Sequence, residues 1–359
     1  MRISLFSFLL FISIKVSSQT FPPCWFNNPV NQQQIGFIGA ASPFSVQANG
    51  SLIASRKKAV KKLFDYYDIE INQREFDFTA SHIALNQNMT IIFSTPYTDH
   101  QAMYSYASLA KKSSEKVLQQ NWLTQTCPIQ ACDFNQCSPS WLCNGNENHI
   151  ISVSPATSMP ANQLSKTYDN AQTLLQYIAK SKVDDFNYQV ESKGKFQQWG
   201  YREHKGLIQA LAPKNKLINT HSCQTSNYMF ARYRYQDNKT SRNLKTNKVT
   251  KPFAKWVKEP NLTDTIGAVG IFSGISADGL FSTAIKHAIK EGLLELAKIK
   301  HIDIDHSYQI SNNKGLYSLA KTTMTTSAVV TAKLQDIKII EEKNQLVIYT
   351  WLLETKTTK

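Results

Sequence analysis

The sequence predicts an α+β protein: three tandem small domains, each one helix packed on a mainly antiparallel sheet in the order β-α-β-β-β. Three observations lead there. A tryptophan-led phrase recurs three times along the 359 residues, each phrase runs from a small-residue strand into an amphipathic helix, and strand-like segments follow each helix. The first phrase reads Trp25-Phe26-Asn27-Asn28-Pro29 and continues into Ile35-Gly36-Phe37-Ile38-Gly39-Ala40-Ala41-Ser42. The last reads Trp256-Val257-Lys258-Glu259-Pro260 and continues into Ile266-Gly267-Ala268-Val269-Gly270-Ile271-Phe272-Ser273. Trp25, Pro29, Ile35, Gly36, Gly39 and Ser42 meet Trp256, Pro260, Ile266, Gly267, Gly270 and Ser273 at one constant spacing. A weaker middle copy opens at Trp141, where Ser42, Pro43, Leu52, Ala59 and Leu63 are matched by Ser154, Pro155, Leu164, Ala171 and Leu175. A period this long marks a whole domain rather than a solenoid unit. Each domain is large enough to hold its own core.

The elements follow in order. The opening strands are expected at 35–41, 150–154 and 266–272. Gly36 and Gly39, like Gly267 and Gly270, permit close approach of another backbone or a bulge. They lack the GxGxxG or GKS spacing of a phosphate loop. In the first helix Ile53, Val60, Leu63, Phe64 and Tyr67 share one face, and Arg56, Lys57, Lys58, Lys61 and Lys62 fill most of the rest. The second stripe is Leu164, Tyr168, Ala171, Leu175 and Ile178. The third is Phe281, Ile285, Ala288, Ile289 and Leu296, with Ser276 or Asp278 as its N-cap. β-branched and aromatic residues mark strands at 89–94 and 102–109, at 228–235, and at 302–304, 329–340 and 345–353, with a hairpin turn at Glu341-Glu342-Lys343-Asn344. Ile69-Glu70-Ile71 is expected to be the counterpart of 302–304 in the first domain.

Arg2, an apolar run broken by serines, and Val16-Ser17-Ser18 read as a removable signal peptide over 1–18. The run is too short to span a bilayer. Domains are placed at 20–119, 120–240 (cysteine-rich) and 256–359, with a basic linker at 241–255. Six cysteines follow: Cys24, Cys127, Cys132, Cys137, Cys143 and Cys223. Their even number in an exported chain favours disulfides over a zinc site, whose usual CxxC pairs are missing. Spacing alone does not choose the connectivity. Without Arg2 and Lys15 the net charge falls from +14 to +12. That balance favours anionic surfaces, and Arg56, Lys57, Lys61 and Lys62 form the candidate basic surface. A specific nucleic-acid partner is not expected, because the charge is spread in small clusters.

Little resembles chemistry. His301, Asp303 and Asp305 alternate on one side of a strand, but a solvated polar face explains the pattern as well as a metal site does. Ser273 is not in a GxSxG elbow. Asp184 and Asp185 read as a helix-end turn, and Tyr228, Phe230, Arg232 and Arg234 as one side of a mixed-face strand. Trp25, Trp141 and Trp256 are expected to lid the domain cores. No catalytic, cofactor or metal residues are assigned.

Tryptophan, proline, I-G-x-x-G-x-x-S and an Ala-spotted helix together resemble the bacterial cell-envelope lipoprotein family called LPP-twenty. They are also similar to the related N-terminal domain of the flagellar H-ring protein. The match covers 25–64 and 256–296 best, and 141–178 in part. The resemblance implies a helix against a curved antiparallel sheet, a periplasmic or outer-envelope location in a Gram-negative bacterium, and no catalysis. The expected function is therefore a non-enzymatic multidomain scaffold or adaptor for other envelope proteins, with flagellar basal-body components as one set of partners. The alternative is a binding module for an anionic envelope polymer or membrane surface; a secreted hydrolase ranks last.

Overall fold

The computed structural model describes residues 21–31, 34–70, 76–111, 123, 125–133, 136–142, 148–155, 163–193, 198–235, 251–276, 280–311, 317–342 and 345–355. The expected signal peptide, residues 241–250 of the expected linker, Cys143, Asp278 and the 343–344 turn lie outside the described residues. The fold is α+β, and every named strand pairs antiparallel with its neighbours.

The first segment runs α1 (Cys24–Asn27), β1 (Val30–Asn31), β2 (Gln34–Ala41), α2 (Gly50–Tyr67), β3 (His82–Ala84), β4 (Met89–Phe93), β5 (Tyr97–Thr98) and β6 (Met103–Lys111). The second runs β7 (His149–Pro155), α3 (Gln163–Ala179), β8 (Ser181–Lys193), β9 (Gln198–Ala210), β10 (Leu217–Gln224) and β11 (Tyr228–Tyr235). The third runs α4 (Phe253–Trp256), β12 (Gly267–Ser273), α5 (Phe281–Lys300), β13 (Asp303–Ser311), β14 (Tyr317–Val330), β15 (Ala332–Glu342) and β16 (Gln345–Glu354).

One arrangement recurs. The opening strand of each segment pairs with the last strand, which pairs in turn with an earlier one: β2-β6-β4, β7-β11-β10 and β12-β16-β15. The long helix of each segment lies across that first and last strand. The apolar stripes explain this packing. Val60, Leu63 and Phe64 are buried from α2, Leu164, Ala171, Leu175 and Ile178 from α3, and Phe281, Ile285, Ala288, Ile289 and Leu296 from α5. The helix–strand approach is closest at the second glycine. A Cβ on Gly39 would overlap the Ser55 carbonyl of α2, and one on Gly270 would overlap the Ala288 carbonyl of α5. Gly36 and Gly267 are also hemmed in, by the Tyr106 ring and the Pro260 carbonyl.

Several expectations are corrected. The order β-α-β-β-β is one strand short in the second and third segments, where four strands follow the helix and the first two form a long hairpin. Hairpins β8–β9 and β13–β14 join edge to edge into a fourth sheet, ordered β13-β14-β8-β9. Asp184 and Asp185 are thus residues of β8, not a turn. The expected strand 329–340 is two strands, β14 and β15, divided at Thr331. Ile69 and Glu70 are outside any strand. Ser276 does not cap α5; its hydroxyl donates to the Leu280 carbonyl at 2.8 Å, and Leu280 is the capping residue. Tyr67 is exposed and rests on Tyr66 rather than in the core.

The cores are not three separate ones. One apolar cluster runs from Trp141 and Leu142 through α3 and α5 to Ile348 and Leu352, so the second and third segments share it. A second fills the first segment between α2 and its sheet and takes in Ile218 of β10. A third joins Trp25, Phe26 and Tyr104 to Leu164 and Met229 of the second segment. The physical reason is helix packing: α3 contacts α5, so their apolar sides merge, while Lys166, Asp169 and Thr173 of α3 and His287 and Glu291 of α5 stay exposed on the outer side.

Candidate functional site

The repeat tryptophans are all buried, each in a different setting. Trp25 lies against Tyr106 (ring centroids 5.8 Å apart). Trp256 stacks on Trp351 at 5.7 Å, and its indole N–H donates to Asp336 Oδ2 at 3.1 Å. Trp141 sits in a short 3-10 turn, Ser140–Leu142, beside the His221 ring. No indole face among the three is available to stack on a ligand.

The cysteines tie distant segments together. Cys24 bonds Cys127, fixing α1 to the stretch before the second segment, and Cys132 bonds Cys223 of β10. Cys137 is also disulfide-bonded. These bridges suit an oxidising, exported environment. Among the described residues, no helix is long and apolar enough to cross a membrane.

The candidate basic surface breaks apart. Arg56 is buried: its Nη1 donates to the Phe78 and Ala80 carbonyls at 2.8 and 2.6 Å, and its guanidinium covers the Phe93 ring at 4.5 Å. Burial holds its pKa below the ordinary arginine value, with Asp77 opposing. Lys62 turns inward, donating to the Ile38 carbonyl at 3.1 Å with its ammonium over Tyr168 of α3. Burial pushes its pKa down to about 8, with Asp169 opposing and Lys58 adding. Only Lys57 and Lys61 remain exposed. The helical wheel counts charges, whereas the carbonyls that receive Arg56 come from a loop distant in sequence.

Polar groups converge instead on the fourth sheet. An open concavity of about 630 Å³ is lined by Asp184, Phe186, Lys205, His301, Asp303 and Ser327, among others. Direct cross-strand neighbours share a face. The pairing Asp184↔Ser327 therefore puts both on one side, and Asp185↔Thr326 puts Asp185 on the other. On one face the Ser327 hydroxyl donates to Asp184 Oδ1 at 2.7 Å, and Lys182 lies 2.9 Å from Oδ2. The Ser327 hydrogen bond, then Lys182, hold the Asp184 carboxyl below the usual carboxylate range. The Ser327 hydroxyl is thus engaged as a donor to a carboxylate of lowered basicity. His301 pairs with Asp303 at 3.1 Å, while His204 pairs with Asp185 at 2.7 Å. Among the described residues no three His, Cys, Asp or Glu side chains converge as metal ligands.

Sequence reading singled out His301 and Asp303 but not Lys205, Ser327 or Phe186, which reach the concavity from other strands. Tyr228, Phe230, Arg232 and Arg234 lie on β11, a central strand between β7 and β10. Phe230 is fully buried and burial lowers the Arg232 pKa, so this strand offers no exposed stacking platform. The arrangement as a whole can hydrogen-bond and pair charges with a partner across an exposed sheet. No protein family, curated protein or solved structure was found to match the chain.

Proposed function

We propose that this chain is a non-enzymatic scaffold of a bacterial cell envelope, built from three divergent copies of one LPP-twenty-like unit. The observation that carries the reading is the recurring arrangement of opening strand, crossing helix and returning last strand in all three segments. The equivalent use of Gly39 and Gly270 against the helix backbone supports common descent of at least the outer two. The disulfides support work outside the cytoplasm, in the periplasm or on the outer envelope surface. The concavity on the fourth sheet supports contact rather than chemistry, because its serine and carboxylates are not arranged as nucleophile and base.

Other envelope proteins, flagellar basal-body components among them, are the proposed partners. Crosslinking in intact cells, followed by mass spectrometry of the captured proteins, tests this. Recovery of defined envelope proteins is expected; a chain found only in the cytoplasm would sink the proposal. The anionic-polymer reading keeps only Lys57 and Lys61 of its original patch, so weak, steeply salt-sensitive binding is the most it expects.

A further inference from the structure

The fourth sheet contains a junction that the chain makes with itself and that its two outer edges are placed to repeat. β8 opens one hairpin and β14 closes the other. They pair along all 13 residues of β8, from Ser181↔Val330 to Lys193↔Ser318, with no bulge. The order β13-β14-β8-β9 leaves β13 and β9 at the edges, and among the described residues no other strand pairs with either. The internal junction joins the first strand of one hairpin to the second strand of the other. β13 is again a first strand and β9 a second one. Directions agree as well: four antiparallel neighbours alternate, so β13 and β9 run oppositely. A copy shifted across the sheet would bring its β13 antiparallel against β9.

Both edges lack two of the usual guards against such pairing, proline and a bulge, and the charges they do carry differ in sign. Neither strand contains proline, and their pairing within the sheet shows no bulge. Residues 301–310 are all exposed. Ile304, Tyr308 and Ile310 are 62%, 58% and 63% exposed on one face of β13, and Leu207 is 61% exposed on β9. Charge is complementary too. β13 carries Asp303 and Asp305 with no lysine or arginine, whereas β9 carries Arg202 and Lys205 against Glu203. The row Asp303–Thr325–Phe186–Lys205 crosses the whole sheet, so an unstaggered neighbour sets Asp303 opposite Lys205.

We infer that copies of this chain join head to tail through these edges, β13 of one copy against β9 of the next. Such a contact is heterologous and does not stop at a dimer. The inference goes beyond the scaffold reading and does not require other envelope proteins.

Sedimentation velocity on the mature chain, disulfides intact, tests it. Species larger than a dimer are expected to grow with concentration. Asp303→Lys and Lys205→Asp, each checked by near-ultraviolet circular dichroism for an intact fold, should each raise the concentration needed by about tenfold. Mixing the two variants should restore assembly, because both junctions of an alternating chain then pair opposite charges. A wild-type chain that stays monomeric up to roughly 100 μM would overturn the inference. So would a dimer indifferent to Lys205→Asp, or variants that fail to rescue each other. A monomeric chain that still crosslinks to other envelope proteins would refute self-assembly and leave the scaffold reading standing.

Discussion

Two residues show how tightly single positions are bound to the packing around them. Gly39 and Gly270 touch helix carbonyls on α2 and α5, where a methyl group has no room. Gly39→Ala and Gly270→Ala should each destabilise the protein by about 3 kcal/mol or more, because backbone cannot yield as a side chain can. Gly200→Ala, whose added Cβ would be 3.7 Å from the nearest atom, should stay within about 0.5 kcal/mol. Urea denaturation compares them, and equal effects would refute the close-approach explanation. Lys62 makes a pH prediction. Burial lowers its folded pKa to about 8, below the unfolded value of about 10.4. Below pH 8 both states hold the proton, and the folded state bears the full cost of burying the charge. Between the two pKa values the unfolded chain binds more protons, so stability rises with pH. Relative to Lys62→Met, the wild type should therefore gain stability from about pH 7 to about pH 9.5. A constant difference would mean that the ammonium is not desolvated.

Among the elements, the connecting stretch between the first and second segments depends most on covalent ties. Its described part, around residues 125–133, contains no named helix or strand, and it is anchored by Cys24–Cys127 and Cys132–Cys223. These bridges close sequence separations of 103 and 91 residues. In the chain-entropy picture, loops this long are worth about 4.7 kcal/mol each. Replacing Cys132 and Cys223 together with serine should lower stability by about 2–5 kcal/mol, measured under non-reducing conditions. A loss below about 0.5 kcal/mol would show that the packing of β10 against β11 already holds this region. Legibility at this scale followed burial. The three long helices each bury one stripe, so their periodicity could be read, while β2 and β7, buried on both faces, stand out as short runs of small and apolar residues. β9 and β13 are polar and largely exposed on both faces, and the middle of β8 and most of β14 are half-buried on both, leaving no alternation there to detect. Asp184 and Asp185 looked like a turn for that reason.

For the molecule as a whole, the shared core makes the second and third segments interdependent. Val183, Ile178 and Leu175 belong to the same cluster as Ile289, Leu293 and Leu352. A chain ended at residue 235 would expose that surface and strip β8 of its partner β14. Such a fragment should bind a hydrophobic dye strongly and lose its near-ultraviolet circular dichroism, whereas the full chain should unfold residues 141–352 in one transition. A fragment with native near-ultraviolet signal would instead favour independently stable domains. The candidate site shares this dependence, because its concavity draws Asp184, Phe186 and Lys205 from the second segment and His301, Asp303 and Ser327 from the third.

From the sequence alone came what local periodicity can carry: the α+β class, the strand-to-helix phrase, the helix faces that would be buried, and the close approach at the glycines. Tertiary structure decided which half of the chain each polar strand pairs with, where Arg56 and Lys62 send their charges, and that two segments share one core. The division has a physical cause. A helix face or a half-buried strand records its burial every two to four residues. The pairing of β8 with β14 instead depends on backbone groups that every residue carries, brought together across a long loop closure that leaves no local mark.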